Sequence, residues 1–348
     1  MGLGRVEARP RARLRVASRR AAATFAGAVV ALVVAEAALR PLVEGWFSST
    51  GRIRTIRQYT EGVATSHFEA DGLGTYGNRL TGEPVLPGVP VAMIVGDSHV
   101  VQDSVSDAET IGAGVERLAR GSGQAINIKQ YGWYDASAAA YIGESHGILV
   151  QHPIWVAVLL NPTDFGPNAL ETDTFWRMRV HADDTFDLVD VRTPPPTGRL
   201  EQVRELLGRS SLLLSFRRRA VVLGEAGGDA APSAVDPSLA MQLDHLPRAS
   251  VKGLKATYGD RLLIVYTPWM KARGDLVPDA EEARLLAACA AEQVACASTR
   301  PEMSAAADAD HRMSRGFSNT APGEGHLNAT GTAITAMVIW REIARRFP

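Results

Sequence analysis

The sequence predicts an α/β protein whose parallel sheet is buried on both faces. Five apolar runs rich in β-branched residues follow residue 90: Val91–Val95, Ile126–Gln130, Ile154–Leu160, Leu262–Tyr266 and a weaker one near Val294–Ala297. They are continuous rather than alternating, as strands covered on both faces are. Helical stretches separate them, over about Ala108–Arg120, Ala136–Leu149, Pro237–Tyr258 and Asp279–Gln293, and a last helix runs from about Ala329 to Arg346. Strand and helix in alternation build a parallel sheet with helices on its faces.

A chain of 348 residues, 46% hydrophobic and 22% charged, has material for a sizeable core and is not a wholly disordered polymer. That length fits one enlarged α/β domain or two smaller ones. The formal net charge of −1 hides an asymmetry, because eight Arg and only two Glu fall in residues 1–40. The remaining body is acidic. It lacks the basic face a nucleic-acid binder needs. Two cysteines make neither a disulfide framework nor, alone, a four-ligand zinc site. Cys289 and Cys296 read as small buried apolar residues, or as a pair in an oxidising compartment.

The amino terminus reads as an address. Residues 1–20 form a basic lead with seven arginines, and Ala21 to Leu39 is apolar apart from Glu36. That is close to the roughly 20 residues that cross a bilayer as a helix. We therefore expect a transmembrane signal anchor over 21–43, with the arginines in the cytoplasm and the body outside it. Ala35-Glu36-Ala37 also has the small-x-small form of a cleavage site, so a removed signal peptide is the competing reading, and an Arg-rich transit peptide is a third. Each export reading places the body beyond the cytosol.

Residues 44–88 read as a polar, glycine-punctuated connector, and 89–348 as the α/β domain with an insertion at about 165–235. In that insertion Met178–His181 and Phe186–Val189 flank a turn and suggest a small hairpin. Pro194–Pro196 is a rigid spacer, Ser211–Leu223 reads as an amphipathic or simply solvated helix, and Gly224–Ser233 is linker material.

Two motifs sit in the wrong context. Gly72-Leu73-Gly74-Thr75-Tyr76-Gly77 matches a dinucleotide fingerprint but lacks the strand before it and the helix after it. Gly143-Glu144-Ser145-His146-Gly147 matches a nucleophile elbow, yet a helix precedes Ser145 and a strand follows, the reverse of what an elbow requires.

The informative constellation is at the strand ends. Val91–Val95 runs into Gly96-Asp97-Ser98-His99, the second strand into Tyr131-Gly132-Trp133, and the third into Asn161-Pro162-Thr163-Asp164; Gly325-His326-Leu327-Asn328 precedes the last helix. In open α/β sheets ligands bind at the carboxyl ends of the strands. A serine, a backbone glycine, a polar side chain and a histidine at that edge are the parts of an acyl-transfer site.

Those blocks resemble the SGNH/GDSL hydrolase superfamily: Gly96-Asp97-Ser98 matches its first block, Gly132 its second, and Gly325-His326-Leu327-Asn328 followed by Gly331 its last. The resemblance spans about residues 90–347 and implies a three-layer α/β/α sandwich on a flavodoxin-like five-stranded parallel sheet. It makes Ser98 the nucleophile, His326 its general base, and the backbone N–H groups of Ser98 and Gly132 oxyanion donors, with Asp97 supporting the turn. No cofactor is implied, and no cluster has metal-ligand spacing. Gly-Asp-Ser-His together with an anchor is similar to SGNH domains of polysaccharide O-acetyltransferases and esterases. That implies an acylated saccharide or other ester as substrate and a membrane acyl-donor protein as partner if the reaction is transfer.

The sequence departs from the family twice. Thr163 stands where an Asn usually precedes Asp164, so the side-chain oxyanion donor is Thr163 or Asn161. Gly323 stands where an Asp usually precedes the histidine by three residues. Glu324 is the candidate orienting acid. Asp308, three residues before His311, has the family's spacing but lacks the glycine and terminal helix beside His326. These departures also sustain a rival reading, a non-catalytic glycan-binding protein with a degenerate site.

Overall fold

The computed structural model describes residues 27, 30, 31, 34, 46–58, 61–62, 64–171, 176–191, 236–270, 277, 279–318, 320, 323 and 325–346. Of residues 1–45 it describes only 27, 30, 31 and 34, which are helical, and it describes none of residues 195–229. The predicted anchor, the triple-proline spacer, the amphipathic helix and the linker fall almost entirely outside the described residues. Among the described residues, no helix is long and apolar enough to cross a membrane.

Trp46–Pro194 with Ala230–Pro348 forms one compact unit. It opens with four antiparallel strands in the order of the chain: β1 (Trp46–Thr50), β2 (Ile53–Gln58), β3 (Ala64–Glu69) and the short β4 (Asn78–Arg79). The α/β body follows with β5 (Val91–Gly96), the one-turn helix α1 (Ser98–Val101), α2 (Ile111–Gly121), β6 (Asn127–Gly132), α3 (Ala138–Gly143), α4 (Ser145–Leu149) and β7 (Val156–Leu160). After α5 (Pro167–Glu171), β8 (Trp176–Val180) and β9 (Phe186–Asp190) pair as the expected hairpin. The chain closes with α6 (Pro237–Tyr258), β10 (Leu262–Tyr266), α7 (Ala280–Glu292), β11 (Ala295–Ser298), α8 (Arg300–Asp310) and α9 (Ala329–Arg346).

The five body strands form one sheet in the order β11-β10-β7-β5-β6, every neighbouring pair parallel. Numbered by first appearance, that is the 2-1-3-4-5 order of a flavodoxin-like sheet, whose chain reverses direction between β5 and β7. Side chains alternate between two cores. Met93, Val95, Val156, Val158 and Ile264 pack with α3, α6 and α7 on one face. Ala92, Ile94, Ala157, Leu159 and Val265 pack with α2, α8 and α9 on the other. Burial on both faces is why these strands carry no polar alternation.

The connector expectation is corrected. Residues 46–79 are not a plain tether but the four-stranded sheet, packed on the body. Its polar strands hide their membership because few side chains enter the core: Ile56, Phe68 and Val101 make a small cluster of their own. Buried polar bonds do the joining instead. The fully buried Arg79 donates to the carbonyl oxygens of Gln102, Val105 and Leu80 at 2.9–3.3 Å and pairs with Asp107. Asn78 Oδ1 accepts the Gln130 N–H at 2.9 Å, and the Gly132 carbonyl accepts the Thr75 N–H at 2.8 Å.

Both decoy motifs resolve as packing. Gly72–Gly77 lies in the turn between β3 and β4, where a Cβ on Gly77 would collide with the Glu69 carbonyl. Gly143 and Gly147 flank Ser145 because the Trp176 ring and the Leu73 side chain occupy the space a Cβ would need.

Candidate active site

A cavity of about 210 Å³ opens at the carboxyl edge of the sheet. Its wall includes Ser98, His99, Thr163, Trp269, Gly325 and His326, with Asp135, Ala136 and Ser137 on one side. It sits beside the β5–β7 reversal, where open α/β sheets bind ligands.

Ser98 is placed by a short strand–turn–helix. Asp97 N-caps α1, its Oδ1 accepting the His99 N–H at 2.8 Å. Its other oxygen accepts from Asn161 Nδ2 at 2.8 Å. Burial pushes the Asp97 carboxyl up, while these two donors and the charges of His326 and Arg315 pull it down; the net shift is upward. Asp97 therefore spends both oxygens on architecture and holds the turn that presents Ser98.

His326 arrives on a loop fixed from both ends. Arg315 and Leu327 form a bridge, the Gly316 N–H reaches the His326 carbonyl at 3.2 Å, and Asn328 ties Met313 and Gly316 while its Oδ1 accepts from Thr330 and Gly331 at the start of α9. The imidazole Nδ1 is hydrogen-bonded to Glu61, in the turn between β2 and β3, and the other Glu61 oxygen accepts the His326 backbone N–H. Gly325 makes this approach fit. Its φ is +87°, and a Cβ there would land on the Glu61 carboxylate. Burial works against charge on His326, but the Glu61 hydrogen bond and the nearby carboxylates outweigh it and raise its pKa above the ordinary 6.5. Burial likewise opposes ionisation of Glu61, yet His326 and Arg315 hold its carboxyl below the usual 4.5.

Several expected residues stand elsewhere. Glu324 lies outside the described residues, and the acid on the His326 ring is Glu61, which no spacing rule in the sequence marks. Asp308 and His311 are exposed at the end of α8 and do not line the cavity. Nor does Ser145. Gly132 is corrected too: it packs beneath the Asp97–Val101 turn, where a Cβ would strike the Val101 backbone, and it is not on the cavity wall. Asp135, with φ +55°, takes that place at the end of the same strand segment. Asn161 is buried, committed to Asp97, and absent from the wall. Thr163 is on the wall, but its hydroxyl donates to Asn161 Oδ1 at 2.6 Å. Among the described residues no group of three or more metal-ligating side chains converges.

No protein-family model matches the sequence, and no curated protein matches it. Solved structures do. A two-domain esterase active on acetylated mannans superposes with a TM-score of 0.41 at 9% identity, over 74% of this chain; the chain spans about half, 49%, of that protein. A lipase/acylhydrolase from Enterococcus faecalis gives 0.41 at 12% identity, over 74% of this chain and 97% of its own. An acetylxylan esterase from Geobacillus stearothermophilus gives 0.38 at 10%, over 73% and 94%. A putative lipolytic protein of the G-D-S-L family from Desulfitobacterium hafniense gives 0.37 at 10%, over 72% and 98%.

Proposed function

We propose that the protein is a serine-dependent acyl-ester enzyme, an esterase or O-acetyltransferase, with Ser98, His326 and Glu61 as its nucleophile, base and orienting acid. The observation that carries this reading is the Glu61 carboxylate on the ring of His326, which shares the wall of one cavity with Ser98. The sequence lacks the family's Asp at position 323, which kept a purely binding role in play. A carboxylate on the imidazole Nδ1 restores what that loss removes.

Ser98 Oγ attacks the ester carbonyl carbon while His326 Nε2 takes the hydroxyl proton, and Glu61 supports the imidazolium. The oxyanion is met by backbone N–H groups at Ser98 and at Asp135, the residue that occupies the place expected for Gly132. Collapse expels the alcohol, which receives the proton from His326. Water, or a sugar hydroxyl, then resolves the acyl-serine. The two outcomes share the first half-reaction, and transfer adds a membrane acyl-donor protein as partner.

The substrate class we assign is an O-acetyl ester on an envelope or exported polysaccharide. A cavity of about 210 Å³ is smaller than pockets built for drug-sized ligands and suits a short acyl group. We place the body outside the cytoplasm behind the N-terminal anchor. The disulfide between Cys289 and Cys296, joining α7 to β11, supports an oxidising compartment.

The test is labelling with a fluorophosphonate followed by peptide mass spectrometry, run beside hydrolysis of p-nitrophenyl acetate. An adduct on Ser98, with turnover abolished in Ser98→Ala, is the expected result. Folded protein that neither labels nor turns over would leave the glycan-binding reading, and an adduct on Ser145 would move the site.

A further inference from the structure

Arg315 is a buried cation beside the cavity that the triad leaves unexplained. It is 1% exposed, yet no carboxylate lies within ion-pair distance of its guanidinium among the described residues. Its hydrogen bonds go to neutral acceptors instead. Nε donates to the Pro268 carbonyl at 3.0 Å and Nη2 to the Thr267 carbonyl at 3.3 Å. Nη1 donates to the Gly325 carbonyl at 3.1 Å and to Nε2 of His99 at 3.0 Å, a ring that burial and the Arg315 charge hold neutral. The guanidinium also lies over the Trp269 ring, 4.5 Å from its centroid. A charge taken out of water without a counter-ion is costly, and native proteins keep few of them. Burial pulls the Arg315 pKa down to about 10, so the group stays charged across the neutral range.

The identity of the acceptors gives that cost a purpose. His99 follows Ser98 in α1, and Gly325 precedes His326. Nucleophile and base therefore each stand one residue from a bond to the same guanidinium. Its other two bonds hold the end of β10, where Thr267 and Pro268 lead to Trp269 on the cavity wall. In the sheet β7 separates β10 from β5, so no strand pairing ties that end to the Ser98 turn. Arg315 itself is bridged to Leu327, beside His326. A guanidinium offers five N–H donors in a rigid planar fork, whereas a lysine ammonium is a point charge on a flexible stem. Only the fork can serve three segments at once.

We propose that Arg315 is the positioning residue of the active site, its guanidinium fork setting the nucleophile turn and the histidine loop against each other through His99 and Gly325. It is not on the cavity wall and acts through these neighbours. The shape of the fork carries the role rather than its charge. This proposal rests on the Ser98 reading above.

Arg315→Lys keeps the charge and gives up the fork; Arg315→Met gives up both. With p-nitrophenyl acetate, and rates taken per folded molecule, R315K should lose about 10² in kcat, the scale of loss from a misplacement of about 1 Å, with KM changed far less. R315M should match it within about threefold. The pH profile supplies a readout that lost stability alone does not move. His326 is faced by Glu61 from the β2–β3 turn, Asp97 and Asp103 from either end of α1, and His99 from α1 itself. Burial lowers its pKa, and the Glu61 contact with the other carboxylates raises it to a net value above 6.5. A slack loop loosens the Glu61 contact, so the kcat midpoint of R315K should fall toward 6.5. Wild-type kcat and midpoint in R315K would reduce Arg315 to packing and overturn the proposal. An active R315K beside an impaired R315M would overturn it too, by making the charge the working property. A measurement on wild-type protein needs no variant to fold. In ¹⁵N-arginine spectra the two Nη groups of Arg315 should give separate signals, because bonded groups cannot exchange by rotation about Nε–Cζ; one averaged signal means a free fork and refutes the positioning role. Wild-type protein that does not hydrolyse the ester refutes the Ser98 reading itself, a result distinct from an R315K that works as well as wild type.

Discussion

Glu61 grips His326 at two points, one carboxylate oxygen on the backbone N–H and the other on ring Nδ1, across 265 positions of sequence. A single contact to Nδ1 would fix a tautomer. Two contacts fix the loop as well, so the ring cannot swing away without breaking both. With the Nδ1 proton directed at Glu61, Nε2 is left for the cavity. The hairpin that carries Glu61 is pinned in turn: Gly62, at φ +75°, lets the turn sit against the Ser104 carbonyl, where a Cβ would come within 2.6 Å.

Glu61→Gln should therefore cut kcat by about 10⁴, the loss seen when the acid of a serine triad is lost or neutralised. KM should change much less, because Glu61 does not line the cavity. Steady-state hydrolysis of p-nitrophenyl acetate by E61Q, with Ser98→Ala as the baseline, decides it. Wild-type kcat in E61Q would remove Glu61 from the mechanism.

The pKa shifts predict opposite pH trends for activity and for stability. His326 must be neutral to accept the Ser98 proton, and its pKa is raised above 6.5, so the rate should climb with pH through a midpoint above 6.5. Stability runs the other way. A histidine raised in the folded state contributes stability that is complete below 6.5 and is lost as pH rises through the raised value. Glu61, held below 4.5, contributes stability that is complete above 4.5 and is lost as pH falls through the lowered value. The stability gap between wild type and E61Q should be widest between pH 4.5 and 6.5. Denaturant unfolding at several pH values measures the gap, and a gap flat from pH 4 to 9 would contradict the ion pair.

The sequence carried most of the body because its strands are buried on both faces. Leu262–Tyr266 and Pro237–Tyr258 have the bounds expected of them, and the other body strands differ by at most two residues at either end. Ser98 and His326 stood out because each lies within two residues of a glycine near a strand or helix boundary. Glu61 was not. It reaches the site through tertiary packing of a sheet held on by buried polar bonds such as those of Arg79, and such bonds leave no hydrophobic period. Gly132 misled for a related reason. A glycine at a strand end marks close approach, and here the approach is to the Val101 backbone rather than to a ligand. Helix α8 was missed because Arg300–Asp310 presents few apolar residues, with Met303 and Ala306 its buried ones.

Gly325→Ala tests the geometry rather than the charge. The new methyl group would meet the Glu61 carboxylate, and alanine at φ +87° adds a backbone cost of about 1–2 kcal/mol. We expect a stability loss of at least that size and a fall in kcat of tenfold or more, because His326 is the next residue. The double variant with Glu61→Ala should cost less stability than the two single losses added together, since removing the carboxylate removes the collision. Strict additivity in a double-mutant cycle would show that the two residues do not meet.

Asn161 can be tested as a strut against its sequence-based role as an oxyanion donor. Its amide donates to Asp97 Oδ2 at 2.8 Å, and its carbonyl oxygen accepts from the Thr163 N–H at 2.9 Å and from the Thr163 hydroxyl. Asn161→Ala leaves a buried carboxylate short of one donor, a loss of about 1–3 kcal/mol. It also frees the Thr163 hydroxyl to turn toward the cavity. A strut therefore predicts lower stability with kcat reduced by less than about 10², whereas an oxyanion donor predicts a loss of 10²–10³ in kcat at nearly unchanged stability. Urea unfolding and p-nitrophenyl acetate kinetics on the same preparation separate the two, and we expect the first pattern, because Asn161 is 1% exposed and behind the wall that Thr163 forms.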